Sequence, residues 1–392
     1  MPLVLRNAHI VLADQVVHGS VRIEDGVVAE ISDDPHLDVP GVPGEDMGAD
    51  HLLPGLVELH TDQVEAHYQP RPQRFWDPIP AVIAHDAQMA ASGTTTVLDS
   101  LRIGSLPGEN RLSGKAHTLV PAVIHAAEAG LLRADHYVHL RCEVATPDVV
   151  EVFDQLGGHE RVRMVSLMDH TPGQRQYADV EAFRTYMVGK HSMSNAQFEA
   201  HVAELHVLSE KYSEDNRRRM TERARERGLT IAAHDDATQA HVDEAAAAGV
   251  RISEFPTTVV AARAARAAGQ LVVMGSPNVV RGGSHSGNVG AAELLSLGLL
   301  DILSSDYVPA STLQAVFLLV ARGDVTLPQA AALVSGNPAR AAGLEDRGVI
   351  AAGKRADVVR VHAYEGAPSE HHPLGTPVPI VRGVWREGRR VA

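Results

Sequence analysis

From Val4 to Ile31 the chain reads VLRNAHIVLADQVVHGSVRIEDGVVAEI, with apolar and polar residues alternating between turn signals at Asn7, at Ala13 to Gln15 and at Asp25-Gly26. A period of two predicts short strands of a half-exposed antiparallel sheet. Similar text returns near the other end as GVIAAGKRADVVRVH and PIVRGVWREGRRVA. Both ends are therefore expected to join in one small β-sandwich domain, residues 1–52 with 345–392.

The middle, residues 53–344, carries a different pattern. LPGLVELHTD, TTTVLDS, HYVHLRCE, VRMVSLMDH, LTIAAHDD, RISEFPTT, LVVMGSPN and LDILSSDY are apolar runs of strand length, separated by Ala-rich helical stretches. Parallel strands buried on both faces read as continuous apolar runs, and eight of them alternating with helices predict an α/β fold, a (β/α)8 TIM-like barrel. The polar segment at about 171–228 holds more than one connecting helix, and is expected to form a helical excursion over the barrel mouth.

Composition narrows the partners. The 392 residues are 44% hydrophobic, enough for a large core, and the formal charge of −14 argues against nucleic acid or an anionic membrane as partner. An anionic small substrate would need a local basic pocket instead. One cysteine, Cys142, allows no internal disulfide, and the longest apolar runs, such as Leu313 to Val320, are too short to span a bilayer. The expectation is a soluble, cytoplasmic protein.

Candidate chemistry gathers at the strand ends, where such barrels place their active sites. The first strand ends in His60 and Asp62, the third in Glu143, the fourth in Asp169-His170, the fifth in His234-Asp235-Asp236 and the last in Asp306. Taken singly, a histidine or aspartate there is more often a turn or cap residue. Five such ends on one mouth instead suggest a hydrolytic divalent metal site. Other histidines, including His125, His139, His201 and His206, are assigned to surface or core packing. After the seventh strand, SPNVVRGGSHSGN offers backbone N–H groups with Arg281, Ser284, His285 and Ser286 as a phosphate cradle, the plain alternative being a surface loop. Arg71, Arg74, Arg102, Arg175 and Lys190 are further cations that could add charge there, or simply be solvated.

These residues resemble the amidohydrolase superfamily: LPGLVELHTD its strand-one motif, Gly348 to Val359 its return to the flanking β-domain, and Asp306 its last-strand aspartate. PGLVELHTDQVEAHYQPRP, AHDAQMAASGTTTVLDSL, HLRCEV, DHTPGQRQY and SPNVVRGGSHSGNV resemble, within it, the triphosphate diphosphatase family of the carbon-phosphorus lyase pathway. That resemblance implies hydrolysis of an anionic sugar triphosphate, α-D-ribose 1-methylphosphonate 5-triphosphate, releasing pyrophosphate. It also implies one or two divalent ions held by His60, Asp62, Glu143, His170, His234 and Asp306, with Glu143 able to bridge. Asp306 would be the general base, and Arg281, Ser284, His285, Arg175 and Lys190 would hold phosphate. Where the superfamily usually has His-x-His, this chain has Asp62; a harder oxygen ligand shifts preference from strict zinc toward Mn²⁺, leaving Zn or Mn as candidates. A homo-oligomer, dimer or tetramer, is the superfamily's habit. Two alternatives stay open: a cyclic-amide hydrolase or deaminase sharing the ligands, and a non-catalytic barrel serving as an interaction subunit.

Overall fold

The computed structural model describes residues 2–105, 112–173, 175, 184, 194–284, 287–368 and 375–392. The alternating N-terminal text forms β1 (Leu3–Val11), β2 (Val16–Glu24), β3 (Val27–Ser32), β4 (Gly44–Asp46) and β5 (His51–Pro54). The two-residue Asp25-Gly26 turn between β2 and β3 has both residues at positive φ, 50° and 80°, the backbone that matches the twist of a tight hairpin.

The apolar runs of the middle form β6 (Leu56–Thr61), β7 (Thr94–Ile103), β8 (Asp135–Glu143), β9 (Val162–Met168), β10 (Thr230–His234), β11 (Ile252–Glu254), β12 (Leu271–Gly275) and β13 (Ile302–Ser304). They pair in chain order, all parallel, as an eight-stranded sheet. Beyond the end of β13 the sheet nearly closes on β6 through a bridge between Thr61 and Asp306. There Asp306 N donates to His60 O at 3.0 Å and Asp62 N to Asp306 O at 3.4 Å. Each strand is followed by helix, as in a TIM barrel. Threonine caps start two of these helices cleanly: Thr238 Oγ1 accepts from His241 N and Thr258 Oγ1 from Ala261 N.

At the chain's other end, β14 (Val358–Tyr364), β15 (Val378–Arg386) and β16 (Arg389–Arg390) join the N-terminal strands in the order β16-β15-β14-β5-β1-β2-β3, with β4 on β1. The strands from the two ends are hydrogen-bonded into one sheet. Its apolar face buries Leu5, Ile10, Val21, Ile23, Leu52 and Trp385. Asp135 at the start of β8 ties the barrel to the returning segment, accepting from Arg347 Nη1 at 2.8 Å and Arg355 Nη1 at 3.2 Å.

Two features of the barrel interior position the site. Its floor is apolar, with Val57, Leu59, Leu98, Met164, Ala232, Ile252, Val273 and Ile302 closed off by Ala339, Ala342 and Leu344. The mouth is not. On β8 the residues Val138, Leu140 and Cys142 face outward into the helix layer, so the alternate residues His139, Arg141 and Glu143 face the barrel interior. The anticipated excursion contains the 32-residue helix Asn195–Glu226, about 48 Å long at 1.5 Å per residue. It is pinned to the loops after β8 and β9: Asn216 Nδ2 donates to Val144 O and Thr146 O at 2.9 and 2.7 Å, and Ser213 Oγ to Asp169 Oδ2 at 2.7 Å. Among the described residues no helix is long and apolar enough to cross a membrane.

Candidate metal centre

Three histidines anticipated at the strand ends meet at the mouth. The rings of His60 and His234 stack with centroids 5.5 Å apart, and His170 lies edge-on to His234 at 6.0 Å. Nitrogen and oxygen atoms of His170, His234 and Asp235 lie within 4.8 Å of one another. Each ring is held through Nδ1 by a buried carboxylate. His60 Nδ1 is 3.1 Å from Glu254 Oε1, His234 Nδ1 is 3.3 Å from Glu254 Oε2, and His170 Nδ1 is 2.5 Å from Glu143 Oε2. An ionised carboxylate can only accept, so each Nδ1 carries the proton, and Nε2 of a neutral ring is left as a lone-pair donor. For His60 this follows from burial, which lowers its pKa to about 3. Burial alone would raise Glu254, but His60 and His139 outweigh it and hold the acid well below its ordinary range.

The carboxylates of the mouth are less satisfied. Asp235 Oδ2 is buried, accepts no hydrogen bond among the described residues, and lies 3.4 Å from His234 Nε2. Burial, and then the Asp62 carboxylate, push Asp306 up to about 7. Asp235 and Asp306 both adopt positive φ, 59° and 53°, an uncommon backbone for a non-glycine residue that turns each side chain sharply off the end of its strand. Asp62 lies one residue beyond the end of β6, as the N-cap of the helix Gln63–Tyr68, and its side chain makes no capping hydrogen bond. What brings Asp62 to the site is the barrel closure onto Asp306. A buried Asp235 oxygen without a donor among the described residues, beside nitrogens of His170 and His234, fits a divalent cation.

The geometry revises two assignments. Glu143, anticipated as a ligand or bridge, is fully buried with both oxygens engaged: Oε1 accepts from His170 N at 3.0 Å, and Oε2 takes His170 Nδ1 and Arg102 Nη2, the latter at 2.9 Å. Burial opposes its ionisation, but His170 and Arg102 prevail and hold it at about 2. Its oxygens serve to aim His170. Arg175, anticipated on phosphate, is buried and spends its guanidinium on Asp236 Oδ1 and, at 3.1 Å, on Glu244 Oε2. It locks the start of the excursion to the end of β10.

Arg281 ends the short helix Ser276–Arg281 after β12, is exposed, and is followed by Gly282 and Gly283 at positive φ and by Ser284. The helix starts beside Asp306: a Cβ at its N-cap Gly275 would lie 3.6 Å from Asp306 Oδ2. Lys190 and His285 lie outside the described residues.

Sequence reasoning missed Glu254, which aims two of the three rings, and placed His139 in core packing. His139 is buried but sits directly under the site, its Nδ1 2.9 Å from Leu59 O and its Nε2 bonded to Ser166 Oγ, which donates to Glu254. Its nitrogens are thus occupied, and the group His60, His139 and Glu254 is a hydrogen-bonded support for the mouth. A second buried cluster lies between the helix Pro78–Ala91 and the barrel wall: His85 Nε2 and His136 Nδ1 each sit 2.7 Å from an oxygen of Asp99, with Asp86 on His136 Nε2 at 3.3 Å. Both oxygens of Asp99 are taken, so this cluster is an ion-pair network.

Comparison with known proteins agrees with the architecture. The amidohydrolase family profile matches residues 182–392. A relative from Escherichia coli (strain K12), alpha-D-ribose 1-methylphosphonate 5-triphosphate diphosphatase, is 44% identical over 392 residues, 99% of this chain and 100% of the relative. Among solved structures, dihydropyrimidinase from Brevibacillus agri NCHU1002 superposes with a TM-score of 0.66 at 15% identity, covering 100% of this chain and 95% of that one. N-acetyl-D-glucosamine-6-phosphate deacetylase from Mycobacterium smegmatis gives 0.62 at 17% identity, with 100% of both chains covered. At such identities these two speak for the fold alone. With one profile over more than half its length and one relative over nearly all of it, the chain belongs to the amidohydrolase family.

Proposed function

We propose that the chain is a metal-dependent hydrolase that cleaves α-D-ribose 1-methylphosphonate 5-triphosphate to the 5-phosphate and pyrophosphate. The observation that carries the reading is the set of three histidines, each aimed by a carboxylate through Nδ1, with a buried Asp235 oxygen beside them that has no donor among the described residues. The near full-length relative at 44% identity supplies the substrate.

His60, His170 and His234 would hold metal through Nε2, with Asp62, Asp235 and Asp306 as oxygen ligands. Mixed imidazole and carboxylate donors suit Zn or Mn, one or two ions. Such an ion supplies an acidified water and offsets charge on phosphoryl oxygens. The chain's own residues do the rest. Asp306, a buried carboxylate at the end of the last strand, accepts a proton from the attacking water. The water oxygen bonds to phosphorus, the bridging P–O bond between the first and second phosphates breaks, and pyrophosphate leaves with that electron pair. Arg281 and Ser284, at and just past the end of the helix that starts beside Asp306, would hold the phosphate chain. The barrel of residues 53–344 carries this chemistry, and residues 1–52 with 345–392 form the flanking β-domain.

A competition assay tests the reaction class. The metal-loaded protein is given the ribose triphosphate together with dihydrouracil and hydantoin. The expected result is consumption of the triphosphate with both cyclic amides intact. Ring opening of an amide with the triphosphate untouched would replace this reading by a cyclic-amide hydrolase.

A further inference from the structure

The inward face of β8 presents His139, Arg141 and Glu143 in succession. The first and third have their polar atoms engaged, as described above. Arg141 does not. Its nearest acid is Asp62, with Nη1 to Oδ2 at 3.7 Å, beyond hydrogen-bond reach, and its Nε is buried with no acceptor among the described residues. Asp62 itself is on the rim, with 39% of its side chain exposed, whereas Arg141 is 16% exposed. A guanidinium has five donors, and leaving them unspent in a largely buried position is unfavourable. Arg102 and Arg175 share the unbonded Nε but each spends an Nη group on a buried carboxylate, and no such bond holds Arg141 among the described residues.

The position is also rigid. Arg141 lies inside a strand paired on both sides, opposite Arg102 of β7 and Ser166 of β9. It cannot swing away as a loop cation can, and its charge reaches His60, His234 and Asp306, the centre of the mouth. The planar fork of an arginine matches two phosphate oxygens at once.

We infer that Arg141 is a substrate-binding residue that grips the phosphate chain and offsets the charge that develops on the departing pyrophosphate. The inference rests on the diphosphatase reading and assigns that site its inner cation. Arg281 lies at the exposed outer loop; Arg141 comes from the barrel wall.

Three proteins test it: wild type, Arg141→Gln and Arg141→Lys, each loaded with Mn²⁺ and assayed for metal content, for steady-state hydrolysis of the ribose triphosphate, and for inhibition by pyrophosphate. Losing one fixed donor to developing charge costs on the order of 100-fold in rate. Arg141→Gln should retain its metal, lose about that factor in kcat/KM with kcat contributing, and bind pyrophosphate at least about tenfold more weakly. Arg141→Lys should recover part of both, and it decides the matter if the glutamine protein fails to fold. Unchanged kcat/KM and unchanged pyrophosphate inhibition in metal-replete variants would overturn the inference while leaving the diphosphatase reading intact. A loss of activity accounted for entirely by lost metal would overturn it too, making Arg141 a counter-charge for Asp62. A metal-replete wild type inert toward the triphosphate would bring down the diphosphatase reading, and this inference with it.

Discussion

Replacing Glu254 by glutamine probes the support of the site without touching a ligand. Glu254 is fully buried and takes the Nδ1 protons of His60 at 3.1 Å and of His234 at 3.3 Å, one on each oxygen. A glutamine keeps the shape but offers one acceptor oxygen and one NH2 group. Whichever way the amide lies, one histidine then meets a donor with its own Nδ1–H. That ring must rotate, or move its proton to Nε2 and lose the lone pair meant for the metal. Removing a partner of this kind typically weakens metal affinity 10–100-fold. Because one ring is fully misdirected while the other keeps its acceptor, we expect the upper end, about 100-fold, or about 2.7 kcal/mol. Titration calorimetry of chelator-stripped wild type and Glu254→Gln with Mn²⁺ measures it directly, with circular dichroism confirming the fold. An affinity within about threefold of wild type in a folded variant would refute the claim that Glu254 aims the ligands.

Burial and Asp62 raise Asp306 to about 7, so below that pH a metal must displace its proton. Apparent metal affinity should therefore fall at least about tenfold per pH unit below 7 and level off above it. Asp306→Asn should flatten that slope by about one proton and abolish turnover; a slope equal to wild type in the variant would remove Asp306 from the ligand set. In the buried network behind the barrel wall, Asp99 is the partner of both His85 and His136, and His136 is held up to about 9 because Asp99 and Asp86 outweigh its burial. Asp99→Asn should cost about 3–5 kcal/mol in urea unfolding at pH 7, and a change under about 1 kcal/mol would show the network to be dispensable. Arg175→Ala strands the buried Asp236 and should lower stability by a similar amount, about 3–5 kcal/mol, with little change in pyrophosphate inhibition. Weakened inhibition with unchanged stability would return Arg175 to the phosphate site.

Much of the barrel could be read from the chain because local pattern and burial coincide there. TTTVLDS and LVVMGSPN are apolar because both faces of their strands are covered, and the alternation from Val4 to Ile31 survives because that sheet is half exposed. The strand-end histidines were legible for the same reason: an imidazole closing an apolar run is conspicuous. Pairings between distant segments were not. Glu143 looks like a ligand until His170, 27 residues on, and Arg102 occupy its oxygens. Arg175 looks like a surface cation until Asp236, 61 residues away, takes it. One signal was present and went unused. HLRCE alternates polar and apolar at period two, and in a barrel strand that means one face looks into a polar interior, which would have placed His139 and Arg141 beside the site. Glu254, an acid ending the short run RISE, carried the same message.

The central claim is that this metal-loaded mouth cleaves a sugar triphosphate between its first and second phosphates. Phosphorus NMR of the protein loaded with Zn²⁺ or Mn²⁺ and mixed with α-D-ribose 1-methylphosphonate 5-triphosphate, with any paramagnetic ion removed before acquisition, tests it most directly. The account predicts pyrophosphate and a 5-monophosphate appearing in equal amounts. Orthophosphate with a 5-diphosphate, or unchanged substrate in the presence of bound metal, would contradict it.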